Sequence, residues 1–166
     1  MGKSDGSWWK GRKGQALESG PAQGSRRWAE RALDKLNAKQ DPESVLALYE
    51  EALKRQIRAH GDDSGPAANA RSDIAKQLES MDRLDEARIY RQEAFDAYSR
   101  NRGVEDPYTL GAEEWLAVNL ARCGLPAEAT THIDHVIEVR TRTLGPDNDE
   151  TLQSSELGRK IREGSS

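Results

Sequence analysis

The side chains of this chain that could do chemistry are few and scattered. His132 and His135 are spaced to share one face of a helix, and two imidazoles one turn apart are half of a zinc site. Asp134 lies between them in sequence but points elsewhere on a helix, and no third ligand stands at a predictable spacing. The pair therefore reads as solvated or packing histidines. Cys123, the single cysteine, closes a predicted helix without a neighbour that would activate its thiol, which predicts a packed sulfur. The carboxylate pairs Glu50–Glu51 and Glu113–Glu114 read as solvated faces of charged helices, and His60, near a helix end, suits the free carbonyls there. There is no glycine-rich phosphate loop, no His-Glu-x-x-His and no paired-cysteine zinc pattern. No constellation proposes a reaction, so the chain is expected not to be an enzyme and to carry no cofactor or metal. What remains is recognition. Trp115 is the first residue to test for it, because tryptophan buries a large area with few rotors, whether in a groove or in a seam against a preceding unit.

The elements that must position these residues are set by an internal repeat. Gly61, Gly103 and Gly145 stand 42 residues apart, and the same step relates Ile74 to Leu116, Ala75 to Ala117, Leu78 to Leu120, Glu86 to Glu128, Ala87 to Ala129 and Leu110 to Leu152. With 35% hydrophobic and only 5% aromatic residues, the chain lacks the supply for one thick core and suits thin helical layers. A net charge of -4 creates no global field that calls for nucleic acid or an anionic membrane. One cysteine excludes an intramolecular disulfide framework, no apolar signal or membrane-spanning run occurs, and the cytoplasm is the expected location.

Residues 1–24 are rich in glycine and serine, have no apolar period, and are expected to be a disordered basic tail. Within it Trp8 and Trp9 adjoin Lys10, a combination able to contact a partner. From Ser25 onward, apolar residues recur at three-and-four spacing, which predicts helices near 26–39, 42–60, 64–81, 84–102, 106–123, 126–144 and 147–163. Asp41, Ser64 and Asp106 precede prolines as N-caps, and Asp147 stands three residues before Glu150 in the spacing of a capping box. The three repeat glycines are placed to stop the second helix of each unit in a left-handed conformation. The expected fold is all-α: a right-handed solenoid of antiparallel helix hairpins with units at about 25–61, 64–103 and 106–145, a cap at 147–163, and a frayed end at 164–166.

Leu84-Asp85-Glu86-Ala87 after a turn, Leu116 and Ala117 with Leu120 and Gly124 before one, and Leu144-Gly145-Pro146-Asp147 resemble the tetratricopeptide repeats of the kinesin light chain type over roughly residues 25–163. The resemblance implies close helix crossings at Ala75 with Ala87 and Ala94 and at Ala117 with Ala129, packed by Ile74, Leu78, Leu116 and Leu120. Where such repeats carry a bulky apolar residue one turn earlier, this chain has Arg71 and Glu113, so packing there should be weak or rearranged. In the last helix, Gly158, Arg159 and Arg162 replace apolar positions, as suits a cap with a polar outer face.

The resemblance also implies a concave face lined by the first helices of the pairs. Its inward stripe is Arg27, Glu30 and Asp34; then Asn69, Ser72 and Lys76; then Glu114, Val118 and Arg122; then Gln153, Glu156 and Lys160. Ser72-Asp73 and Glu114-Trp115 stand where the kinesin light chain type pairs asparagines, so that type's peptide preference is not transferred, and a basic or mixed-charge segment is the expected ligand. The implied function is a protein-interaction scaffold or adaptor binding a peptide or protein. The alternative is a regulatory protein whose Trp8, Trp9 and Lys10 contact nucleic acid or an acidic surface while the repeats mediate assembly, including a homodimer.

Overall fold

The computed structural model describes residues 41–164. They form six helices and no strand: α1 (Pro42–His60), α2 (Gly65–Ser80), α3 (Leu84–Arg102), α4 (Pro107–Arg122), α5 (Pro126–Leu144) and α6 (Asp149–Arg162). The helix expected at 26–39 lies outside the described residues. Each helix packs on its neighbour in sequence, and α4 also touches α6, so the hairpins α2–α3 and α4–α5 stack in an all-α solenoid with α6 at its C-terminal end.

Local chemistry sets the boundaries. The Asp41 carboxylate accepts from the Glu43 and Ser44 amides at 3.1 Å, Ser64 Oγ accepts from the Ala67 amide, and Asp106 accepts from the Tyr108 amide, so orphan donors of each first turn are satisfied. The last cap differs by one residue from the capping-box reading. Asn148, not Asp147, accepts from the Glu150 amide, because the 42-residue phase that carries Ser64 to Asp106 lands on 148. The repeat glycines close α1, α3 and α5 with φ of 88°, 92° and 94°, each amide donating to the carbonyl four residues back. Their ψ values of 162°, 159° and 159° are extended rather than left-handed helical, a region that only glycine enters readily.

The core lies at the helix crossings. Ala75, Ala87, Ala117 and Ala129 are fully buried, as are Ile74 and Leu116, with Leu78 and Leu120 beside them. Small residues at these crossings let the helix backbones approach, and the flanking branched side chains fill what remains.

Polar ties repeat in the same phase. Arg100 reaches Asp63 at 2.7 Å and Arg142 reaches Glu105 at 2.5 Å, one repeat later, each tying a second helix to the loop before its own hairpin. Gln77 Nε2 donates to the Pro42 carbonyl at 3.2 Å, and Asn119 Nδ2 donates to the Leu84 carbonyl at 3.4 Å. These amides join a first helix to the start of the preceding second helix.

The positions with polar residues in place of bulky apolar ones are rearranged into polar clamps, each with its first-helix member buried. Arg71 donates through Nε to Glu93 at 3.1 Å, through Nη1 to the Asp62 carbonyl at 2.8 Å and through Nη2 to the Asp62 carboxylate. Glu113 and Glu114 are not solvated: their residues are 4% and 3% exposed. Glu113 holds two histidines, with His132 Nδ1 at 3.1 Å and His135 Nδ1 at 2.7 Å. Glu114 meets Arg140 at 3.3 Å and accepts from Ser154 Oγ at 3.2 Å. Gly158 is also buried, and a Cβ there would come within 2.9 Å of Ile137 Cδ1, so in the cap it is a close-packing position against α5.

Candidate functional site

The stripe on α2, α4 and α6 divides into accessible and structural residues. On α2, Lys76 is exposed and Ser72 half-buried, while Asn69 is half-buried and its Oδ1 accepts from the Tyr98 hydroxyl at 2.7 Å. On α4, Arg122 is exposed and Val118 packs half-buried against the core. Glu114 leaves the stripe: it points into the α4–α5–α6 junction, where Arg140 Nη1 also reaches Ser154 Oγ at 2.5 Å. On α6, Gln153 and Glu156 are exposed and Lys160 is half-buried. Glu156 is engaged by its own helix: Arg159 at 2.7 Å and Lys160 at 3.6 Å hold its carboxyl down to about 2, the Arg159 hydrogen bond contributing most. Arg27, Glu30 and Asp34, and the tail residues Trp8, Trp9 and Lys10, lie outside the described residues.

Trp115 is half-buried, with the Arg91 guanidinium 5.2 Å from its ring centroid. Arg91 is itself buried and pairs in a fork with Glu79 at 3.0 and 2.8 Å, and Glu79 accepts from Asn119 at 3.2 Å. Trp115 thus sits on a buried polar network between one hairpin and the next and remains partly accessible.

The histidine cluster converges on one buried carboxyl group, that of Glu113. Both Nδ1 atoms lie against the Glu113 carboxyl group, and Phe95 of the preceding hairpin meets His132 edge to face at 5.7 Å. Among the described residues no group of three or more His, Cys, Asp or Glu is arranged to hold a metal ion. Cys123 is half-buried, its Sγ 3.6 Å from Asn119 Oδ1, and burial pushes its thiol up, with the nearby Asp85 adding to the effect. That environment disfavours the thiolate.

Sequence reasoning missed the buried carboxylates, although one signal was available. Arg71 and Glu93 are 22 residues apart, as are Glu113 and His135, and the 42-residue step maps one pair onto the other.

Residues 116–150, from mid-α4 to the start of α6, match the tetratricopeptide repeat model. No curated protein matches the chain by sequence. Among solved structures, a kinesin light chain from Podosopora anserina with nearly identical TPR-like repeats superposes with a TM-score of 0.71 at 15% identity, over 86% of this chain and 66% of that one. BtubC (BKLC) from P. vanneervenii superposes with a TM-score of 0.62 at 16% identity, over 88% of this chain and 68% of that one. The chain thus spans about two thirds of the length of these structures. The fold is the tetratricopeptide repeat of the kinesin light chain type. Tetratricopeptide repeats generally mediate protein–protein interaction. No helix among the described residues is long and apolar enough to cross a membrane.

Proposed function

We propose that the protein is a non-catalytic scaffold that binds a protein segment on the concave face lined by α2, α4 and α6. The observation that carries this reading is the state of the charges on those helices. Glu114 is buried against Arg140, and Glu156 is engaged by Arg159 and Lys160, whereas Lys76 and Arg122 are exposed and make no ion pair among the described residues. The charge left for a ligand is therefore positive, which replaces the expectation of a basic or mixed-charge ligand with that of a segment presenting carboxylates or other anions. Such charges select and steer the partner, while Trp115 and Val118 offer apolar area for anchoring.

Photo-crosslinkers installed in turn at Lys76, Val118 and Arg122, and at the exposed Ile89 on α3 as a control, test the face. A partner joined at the first three and not at Ile89 supports the reading. In solution, Lys76→Glu with Arg122→Glu should retain helical content and weaken that partner at least about tenfold, or about 1.4 kcal/mol. Unchanged affinity in the double variant would remove the concave face from the account.

A further inference from the structure

Between Thr109 and Leu120 on α4, only Gly111, Trp115 and Val118 keep accessible surface; every other residue is buried. The exposed Arg122 continues their line at steps of four, three and four residues, so the four share one narrow face about 16 Å long. Glycine is disfavoured inside a helix, and packing does not ask for it at Gly111. A Cβ there would meet nothing within 4 Å, and the residues one repeat away on either side, Asn69 and Gln153, carry full side chains. The gap left by Gly111 lies one turn from Trp115 on the same face.

The neighbouring side chains decide what kind of segment this face can hold. An extended segment needs partners for its own amides and carbonyls, whereas a helix arrives with its backbone already satisfied. Each side-chain amide on α2 and α4 is engaged by the fold. Asn69 Oδ1 accepts from the Tyr98 hydroxyl, Gln77 donates to the Pro42 carbonyl, and Asn119 donates to Glu79 and to the Leu84 carbonyl. Alternating steps of four and three are those of the seam between two packed helices, and a position without a side chain lets a second helix approach closely. The charge beside the seam is positive: Arg122 closes its C-terminal end, and Lys76 stands on α2 at the position of Val118 one repeat earlier.

We propose that the face formed by Gly111, Trp115, Val118 and Arg122 seats an amphipathic helix of a partner protein, laid along α4. Its apolar seam fills the gap at Gly111 and packs on Trp115 and Val118, and its carboxylates meet Arg122 and Lys76. The proposal rests on the concave-face reading above. It adds the conformation of the bound segment and names Gly111 as the residue that selects it, because any longer side chain there holds the incoming helix away.

Two labelled synthetic peptides of one composition, each of about 18 residues, provide the test with the full chain. One places leucines at the a and d positions of a helix and glutamates beside them; the other scrambles that order. Fluorescence anisotropy reads affinity, and circular dichroism reads the helicity gained on binding. The patterned peptide should bind saturably and gain helicity, and the scrambled one should bind at least about tenfold more weakly. Gly111→Gln, which copies Gln153 of the next repeat, should weaken the patterned peptide at least about tenfold, with a thermal midpoint no lower than the parent's, because a better helix former replaces glycine at an open position. Weakening by Lys76→Glu with Arg122→Glu but not by Gly111→Gln overturns the helix seat and leaves the concave face standing. No saturable binding of the patterned peptide, or binding of the scrambled one as tightly, also overturns the proposal; the crosslinks at Lys76, Val118 and Arg122 still report on the concave face in that event. Self-association of the chain that Gly111→Gln abolishes would assign the face to a second copy instead and overturn the proposal as well.

Discussion

The hairpins α2–α3 and α4–α5 share one backbone plan and bury opposite charges in it. At the same point of the repeat, the first buries the cation Arg71 against Glu93, and the second buries the anion Glu113 against His135. One residue further on, Ser72 is half-buried and Glu114 is fully buried against Arg140. At the junction with the following helix, Tyr98 stacks on Tyr108 at 6.0 Å, whereas their counterparts 42 residues later, Arg140 and Glu150, approach as an ion pair at 3.7 Å. The difference teaches that the repeat dictates where a polar clamp sits and requires only that its partners complement each other; the sign is free. It also shows that the cap is docked by buried charge where the preceding junction is docked by aromatic rings.

The largest break in this comparison should come from Glu114. Truncation to alanine removes the buried partner of Arg140 and leaves it the half-exposed Glu150 carboxylate at 3.7 Å, with an expected loss of about 2–3 kcal/mol in urea unfolding, whereas Ser72→Ala at the matching position should change stability by less than about 0.5 kcal/mol. Similar costs for the two would show that the cap is not docked by charge.

Reversing the first clamp tests whether sign is free. Arg71→Glu places a third carboxylate beside Asp62 and Glu93, and because those two are about half exposed the expected loss is a screened 1–3 kcal/mol or so. Adding Glu93→Arg should restore about 1 kcal/mol or more through the new pair, read as the coupling in a double-mutant cycle. Absence of coupling would mean that the sequence demands arginine at 71 for another reason.

The apolar crossings should behave alike in both hairpins. Ala75→Leu and Ala117→Leu each overpack a contact with no exposed surface, at an expected cost of about 1–3 kcal/mol. An unchanged thermal midpoint for either would separate the hairpins where they are expected to agree.

The smallest effect concerns the turns inside the hairpins. Asp82 has φ of 60°, and its counterpart one repeat later is Gly124 with φ of 77°. Asp82→Gly should relieve side-chain strain and raise stability by about 0.5–1 kcal/mol in thermal unfolding, making the two turns equivalent. A loss instead would show that the Asp82 side chain stabilises its turn.

Helix starts, helix stops and the crossing alanines were legible in the sequence, because each depends on neighbours within a turn or on the 42-residue phase. Asp41, Ser64 and Asp106 cap helices whose donors are two or three residues away, and Gly103 ends a helix through its own backbone freedom. The fate of charge was not legible. A glutamate on a helix has the same local chemistry whether it meets water or an arginine 26 residues later, so Glu114 read as a solvated or groove-lining residue until α5 and α6 closed over it. Packing likewise decided that Glu113 would hold two histidines, that Arg91 would lie over Trp115, and that Arg88 would be enclosed without a carboxylate. Desolvation and partner choice are set by which helices face one another, and that is a property of the assembled layers.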